Sequence, residues 1–234
     1  MALILVVVVS AVAFTLYLTW PKPGESKPVE IHAFVELPSP ETIGAMSVEE
    51  AIWRRRSIRS FSDEPLSLQD ISQLVWAAQG ITDPAGKLRA APSAGATYPL
   101  EIYVLVSDYG VEELAEGLYR YNYSKHRLEY ILKDDLRSRL AEAAVGQSCV
   151  REAPINIVIA AIYERTMGRY GERGTRYVHM EAGHVGQNLY LQATALGLGM
   201  VTVGAFYDDK VQELLQLPTD QKPLYIVPIG HPRG

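Results

Sequence analysis

The sequence predicts an α+β, or mixed α/β, domain in which helices pack on a sheet. Three observations carry this. Amphipathic segments with helix start and stop signals recur along the chain. Between them lie short apolar runs of strand length. The two alternate without simple βαβ repetition, which argues against a doubly wound parallel sheet. With 234 residues, 48% apolar and 21% charged, one sizeable core can form.

Residues 1–20, "MALILVVVVSAVAFTLYLTW", contain no charged side chain. The run is about as long as a bilayer core requires of a helix. Tyr17 and Trp20 stand where an aromatic belt would lie. The expectation is an uncleaved membrane anchor. A cleaved signal peptide would want a basic start and a small-x-small cleavage site, and neither is present. A buried core element is the third reading. Lys22, Lys27 and the later arginines lean the following domain to the cytoplasm, with export as the alternative. Residues 21–46 are proline-rich without periodicity and read as a linker or extended arm. The folded domain is expected over 47–234.

Ser47 with Glu50 opens a short helix as a capping box, and Ser67 with Asp70 opens a second that stops at Gly80. In the second, Ile71, Leu74, Val75 and Ala78 share one face. "EIYVLVS" (101–107) and "INIVIAAIY" (155–163) read as buried strands, and "GLYRYN" and "HRLEYI" as a hairpin. "KDDLRSRLAEAAVG" is an amphipathic helix. "TRYVHMEAGHVGQNLYLQATALGLG" is a long helix crowded with small residues, which suits a central or interface position. "MVTVGAF" and "LYIVPIG" are two more strands around the short helix "DDKVQELLQL".

Net charge is −5, which argues against general nucleic-acid binding. The lone cysteine, Cys149, makes no disulfide within the chain and reads as a buried inert thiol. No Cys/His cluster has zinc spacing, so no metal is expected.

Four stretches could carry chemistry. "RRRSIRSF" holds Arg54, Arg55, Arg56 and Arg59. A solvated helix end would account for the triplet but not for Ser57 and Arg59 beside it. Alternation in an extended segment would turn Arg55, Ser57 and Arg59 to one side, and paired guanidiniums favour phosphate. "APSAGATYP" (91–99) is an ordinary turn or a loop where backbone approaches a ligand. It is neither a Walker loop nor a dinucleotide fingerprint. "GLGMVTVGAF" ends a strand at Gly204, where bare N–H groups could face a flat ring. "PIGHPRG" is a frayed tail unless Arg233 returns to the same anion as Arg55.

In this order, "RRSIRSF", "PSAGATYPLEIYV", "EAGHVGQNLYLQATALGLG" and "IGHP" resemble the nitroreductase superfamily of flavoproteins. They look most like its SagB-type dehydrogenase branch. The resemblance covers about residues 47–234. It implies an α+β homodimer, a mostly antiparallel central sheet flanked by helices, and FMN at the subunit interface. It implies NAD(P)H as co-substrate and a small organic acceptor. On the same basis, Arg55, Ser57 and Arg59 would contact FMN, with Arg56 a weaker candidate. Pro92, Ser93, Ala94 and Gly95 would approach the flavin from one subunit. The backbone of Val203, Gly204 and Ala205 would face flavin N5 and O4. Arg233 and His231 would serve the phosphate, and Gln147 the ring. No side chain is an evident catalytic acid or base. Glu181 and His184 read as satisfied interface residues in preference to substrate contacts.

One departure stands out. Azoline-forming oxidases of this branch resemble one another in a Lys-Tyr pair ahead of the long helix, where this chain has Arg176-Tyr177. Three functions therefore stand at this stage: an NAD(P)H-consuming FMN oxidoreductase, an azoline-peptide oxidase, and a membrane-tethered flavin-binding module without turnover.

Overall fold

The structure, a computed structural model, describes residues 30–233. Seven strands form one sheet in the order β1-β4-β3-β2-β5-β7-β6. They are β1 (Ala33–Glu36), β2 (Leu100–Val106), β3 (Gly117–Asn122), β4 (Arg127–Leu132), β5 (Ile155–Ile162), β6 (Gly199–Met200) and β7 (Gln221–Gly230). All six neighbouring pairs are antiparallel. The helices are α1 (Val48–Arg54), α2 (Leu68–Gln79), α3 (Arg137–Ala143), α4 (Ser148–Glu152), α5 (Tyr163–Tyr170), α6 (Gly174–Ala195) and α7 (Asp208–Leu214).

The two central strands are apolar throughout because the sheet is buried on both faces. Ile102, Val104, Ile157 and Ile159 turn to one side, where α2 and α6 supply Ile71, Leu74, Val178, Val185 and Leu189. Tyr103, Leu105, Val158 and Ala160 turn to the other, against Leu140 of α3, Val150 of α4 and Val211 of α7. Period-two alternation in the strands and 3.6-residue periodicity in the helices thus meet in two layers.

The caps form as the residues dictate. The Ser67 hydroxyl accepts from Asp70 N and the Asp70 carboxylate accepts from Ser67 N, satisfying two end donors reciprocally. At Ser47 the hydroxyl accepts from Glu50 N.

Several elements differ from expectation. "MVTVGAF" forms a strand only at Gly199–Met200, followed by an isolated bridge from Val203 to Ile226. Met200 also bridges in parallel to Ser57, its carbonyl accepting from Ile58 N. β7 begins at Gln221, earlier than "LYIVPIG". Helix α5 turns Tyr163, Thr166, Met167 and Tyr170 inward at helical spacing, a short stripe that the sequence reading did not pick out. β1 lies at the sheet edge within the stretch read as linker or arm. The expected membrane-anchored localisation is corrected: among the described residues no helix is long and apolar enough to cross a membrane. Residues 1–20, on which that expectation rested, lie outside the described residues.

Candidate cofactor site

Helix α1 ends at Arg54, and the four arginines that follow from it part company. Arg54 pairs with Glu50 one turn back, at 2.7 Å. Arg56 folds back onto the helix end, donating to the carbonyls of Trp53 (2.9 Å) and Arg55 (2.7 Å). It caps unsatisfied carbonyls and is drawn away from the site proposed for it. Arg55 and Arg59 make no ion pair among the described residues.

Residues 57–62 are extended and lie between the β6 end and the C-terminal segment. Ile58 N donates to Met200 O at 2.9 Å, Ser62 N to His231 O at 2.9 Å, and Arg233 N to Ser60 O at 3.1 Å. Ile58 turns inward and Phe61 is fully buried, while Ser57 and Arg59 remain exposed. Three of the four motifs therefore meet through main-chain bonds. His231 contributes its carbonyl, and its ring stands 4.0 Å from Glu64.

Tyr190 of α6 joins this wall, and sequence reading did not single it out. Its ring lies under Arg55, 5.0 Å from guanidinium carbon to centroid. Its hydroxyl meets Ser57 Oγ at 3.0 Å and accepts from Thr202 N at 3.1 Å. Burial pushes the phenol pKa up, but the Ser57 and Thr202 bonds and the nearby Arg55 charge outweigh it, and the net shift is downward. Its place in the helical stripe, one residue after Leu189, marked it only as core.

Of the three residues at the strand end, Val203 is buried and its N–H donates to Ile226 O at 2.8 Å. That donor is already used by the sheet. Gly204 and Ala205 are exposed, and their N–H groups have no backbone partner among the described residues. A Cβ at Gly204 would come no closer than 3.7 Å to another atom. Nothing inside the chain therefore requires glycine there, and the bare backbone faces outward. The Gln147 amide donates to Ala205 O at 3.1 Å and Ala144 O at 3.0 Å, holding this turn in place.

The loop at 92–98 is built differently. Gly95 adopts φ +61°, and Ala96 and Tyr98 are also left-handed, at +52° and +45°. Ser93 Oγ accepts from Tyr98 N at 2.9 Å. Helix α5 clamps the loop: Arg165 donates to Tyr98 O, Arg169 to Gly95 O (both 3.1 Å), and the Thr97 and Thr166 hydroxyls meet at 2.8 Å. A cleft of about 280 Å³ separates Pro92, Ser93 and Ala94 from the Tyr177, Met180, Glu181 and His184 face of α6.

Glu181 is 3% exposed. Burial raises its carboxyl pKa against hydrogen bonds from Ser93 and Gln79 and the field of Arg89. Arg89 donates to Gln79 Oε1 at 3.1 Å, so the Gln79 amide nitrogen must face Glu181, 3.5 Å away. Arg89 itself stacks on Tyr98 and Tyr123. Cys149 is buried and its thiol pKa is raised by burial.

A model of the nitroreductase family matches residues 52–231. A nitroreductase-like protein of Methanocaldococcus jannaschii is 48% identical over 197 residues, covering 84% of this chain and 95% of its own. The FMN reductase (NADPH) of Bacillus subtilis is 25% identical over 203 residues, 78% of this chain and 65% of its own. Trifolitoxin operon protein TfxC and trifolitoxin-processing protein TfxB of Rhizobium leguminosarum, and microcin B17-processing protein McbC of Escherichia coli, are also related. The chain spans 63%, 43% and 57% of their respective lengths. The crystal structure of a nitroreductase-like protein of Ralstonia eutropha superposes with a TM-score of 0.74 at 29% identity, over 90% of this chain and 99% of that one.

Proposed function

The chain belongs to the nitroreductase family, and on that premise we propose that it is an FMN-dependent oxidoreductase carrying electrons from NAD(P)H to a small organic acceptor. One observation carries the reading. Guanidiniums without ionic partners among the described residues, Arg55 and Arg59, stand on a wall whose backbone also bonds the Arg233 segment and leads to the exposed Gly204–Ala205 N–H groups. On a chain of net charge −5, such a cluster fits a phosphate dianion. The exposed donors fit the electron-accepting edge of a flat ring.

In this reading Arg55, Arg59 and Arg233 hold the phosphate and Ser57 adds a hydroxyl. Gly204 and Ala205 orient the ring through backbone N–H groups, and Gln147 keeps their turn from moving. Bound FMN would supply the two-electron chemistry itself. The guanidiniums would place fixed positive charge beside a developing negative one.

The wall is open, and Ser93 and Tyr190 sit on the same chain with Glu181 and Tyr190 nine residues apart on α6, about 14 Å along its axis. That separation supports a homodimer in which the 92–95 loop serves the partner's site. The azoline-oxidase reading is weaker. Arg176 stands where those oxidases have a lysine, and the Tyr177 hydroxyl accepts from Arg173 Nε at 3.1 Å.

The test is an absorbance spectrum of purified protein with and without added FMN, followed by anaerobic titration with NADH and NADPH. Flavin binding and bleaching are expected. Protein that binds no flavin overturns the reading. Flavin that neither dinucleotide reduces would favour a binding module without turnover.

A further inference from the structure

Beside the 92–95 loop, two arginines and two tyrosines of α5, the following turn and the start of α6 interleave. Arg169 lies over the Tyr170 ring at 5.6 Å, and Tyr170 and Tyr177 meet edge to face at 5.1 Å. Arg173 lies near the Tyr177 ring at 5.9 Å and donates Nε to its hydroxyl at 3.1 Å. The group abuts the proposed cofactor loop directly. Arg169 donates to Gly95 O, and a Cβ at Gly95 would stand 2.6 Å from Tyr170 Oη. Tyr177 also lines the cleft above Ser93 and Glu181.

The charges here are uncompensated. Glu101 is taken by Arg165 of the same helix at 2.7 Å. Arg169 and Arg173 form no ion pair among the described residues, although Glu164 and Glu172 lie on the same stretch. Both guanidiniums are exposed and both tyrosines half-buried. With its Nε committed to Tyr177, the two terminal nitrogens of Arg173 have no hydrogen-bond or ion-pair partner among the described residues.

A free phosphate would have no use for the two rings, and a neutral aromatic none for the two guanidiniums. A ligand with an aromatic base and a phosphate dianion uses both. We propose that Arg173 and Arg169, with Tyr170 and Tyr177, bind the 2′-phosphoadenosine end of NADPH and make it the preferred donor over NADH. This rests on the oxidoreductase reading above, and the adjacency to Gly95 is what connects the cluster with the cofactor.

The experiment uses the full chain loaded with FMN. Flavin reduction by NADPH and by NADH is followed by stopped flow, and binding of 2′,5′-ADP and 5′-AMP by calorimetry. Wild type should favour NADPH and bind 2′,5′-ADP more tightly than 5′-AMP. Arg173→Ala should weaken 2′,5′-ADP about tenfold, the worth of one charge-assisted hydrogen bond. Its loss in KM should be correspondingly larger for NADPH than for NADH. Tyr177→Phe, which frees the guanidinium without removing the ring, should lose less. Arg173→Lys should recover part of the binding. Equal use of the two dinucleotides by wild type, or a loss in Arg173→Ala shared equally by both, overturns the proposal while leaving the oxidoreductase reading standing. If the protein holds no flavin, that earlier reading falls, and calorimetry with 2′,5′-ADP still decides this one.

Discussion

The wall at Ser57, Gly204 and Arg233 is held by main chain, and the wall at Ser93 and Gly95 is held by side chains. In the first, residues 57–62 bond backbone to backbone with Met200, His231 and Arg233, so the Arg55 and Arg59 guanidiniums are left without ion pairs among the described residues. In the second, Arg165, Thr166 and Arg169 reach down to loop carbonyls and hydroxyls, and Glu181 is buried beneath Ser93. Where the backbone does the holding, side chains can serve a ligand and be replaced at little cost to the fold. Where side chains do the holding, the same replacement loosens the loop.

That contrast can be broken, most severely at Tyr190, whose side chain joins Ser57 to Thr202 across the backbone-built wall. Tyr190→Ala removes a buried ring and its hydroxyl bridge, and should destabilise by about 3 kcal/mol in urea unfolding. Tyr190→Phe, which strands Thr202 N, should cost about 1–2 kcal/mol. If Tyr190→Ala leaves the unfolding midpoint in place, the wall does not depend on the ring.

Next comes the loop. Gly95→Val puts a β-branched residue at φ +61° and drives it into Tyr170 and Arg169. A loss of about 2 kcal/mol in thermal unfolding is expected. An unchanged melting temperature would mean that α5 yields freely and is no clamp.

Arg55→Ala and Arg59→Ala should each weaken FMN retention about tenfold while shifting stability by no more than about 0.5 kcal/mol. Comparable losses of stability and of flavin would erase the distinction between the walls. Smaller again is Glu181→Gln. Because burial raises the folded carboxyl pKa above its ordinary 4.5, the wild type is fully favoured below that value. It loses this contribution as pH rises through the folded pKa. Relative to wild type, Glu181→Gln should therefore gain stability with rising pH over that window, by less than about 1 kcal/mol. Glu129 and Asp135, whose pKa values are held low, work in the opposite sense but equally in both proteins. A pH-independent difference would show that Glu181 keeps its ordinary titration. Arg54→Ala comes last: its exposed pair with Glu50 is worth about 0.3–0.5 kcal/mol, and flavin binding should not change.

Much of this is legible in the sequence. Capping residues at Ser47 and Ser67, the two apolar strands, the hairpin and the long helix all follow from local propensity and period, and these are the elements found. Alternation set Ile58 apart from Ser57 and Arg59, and in the structure Ile58 packs inward while the other two are exposed. It could not show that Arg56 would turn back to cap α1, because a guanidinium finds a helix carbonyl only once the helix end exists. The Val203 N–H was expected to face outward; the sheet took it, through a partner 23 residues on, Ile226.

The sequence by itself determined the class of fold, the order of its elements, and a set of arginines and small residues suited to an anion and a flat ring. These depend on chemistry within a few residues of chain, where period, caps and charge are written directly. Only the tertiary structure decided which of those groups are free. Tyr190 joins Ser57 to Thr202, Glu181 lies buried under Ser93, and Arg173 is fixed by Tyr177 because long-range packing brings them together. A polar group's availability is what remains after every nearer partner has been satisfied, and those partners come from the whole fold.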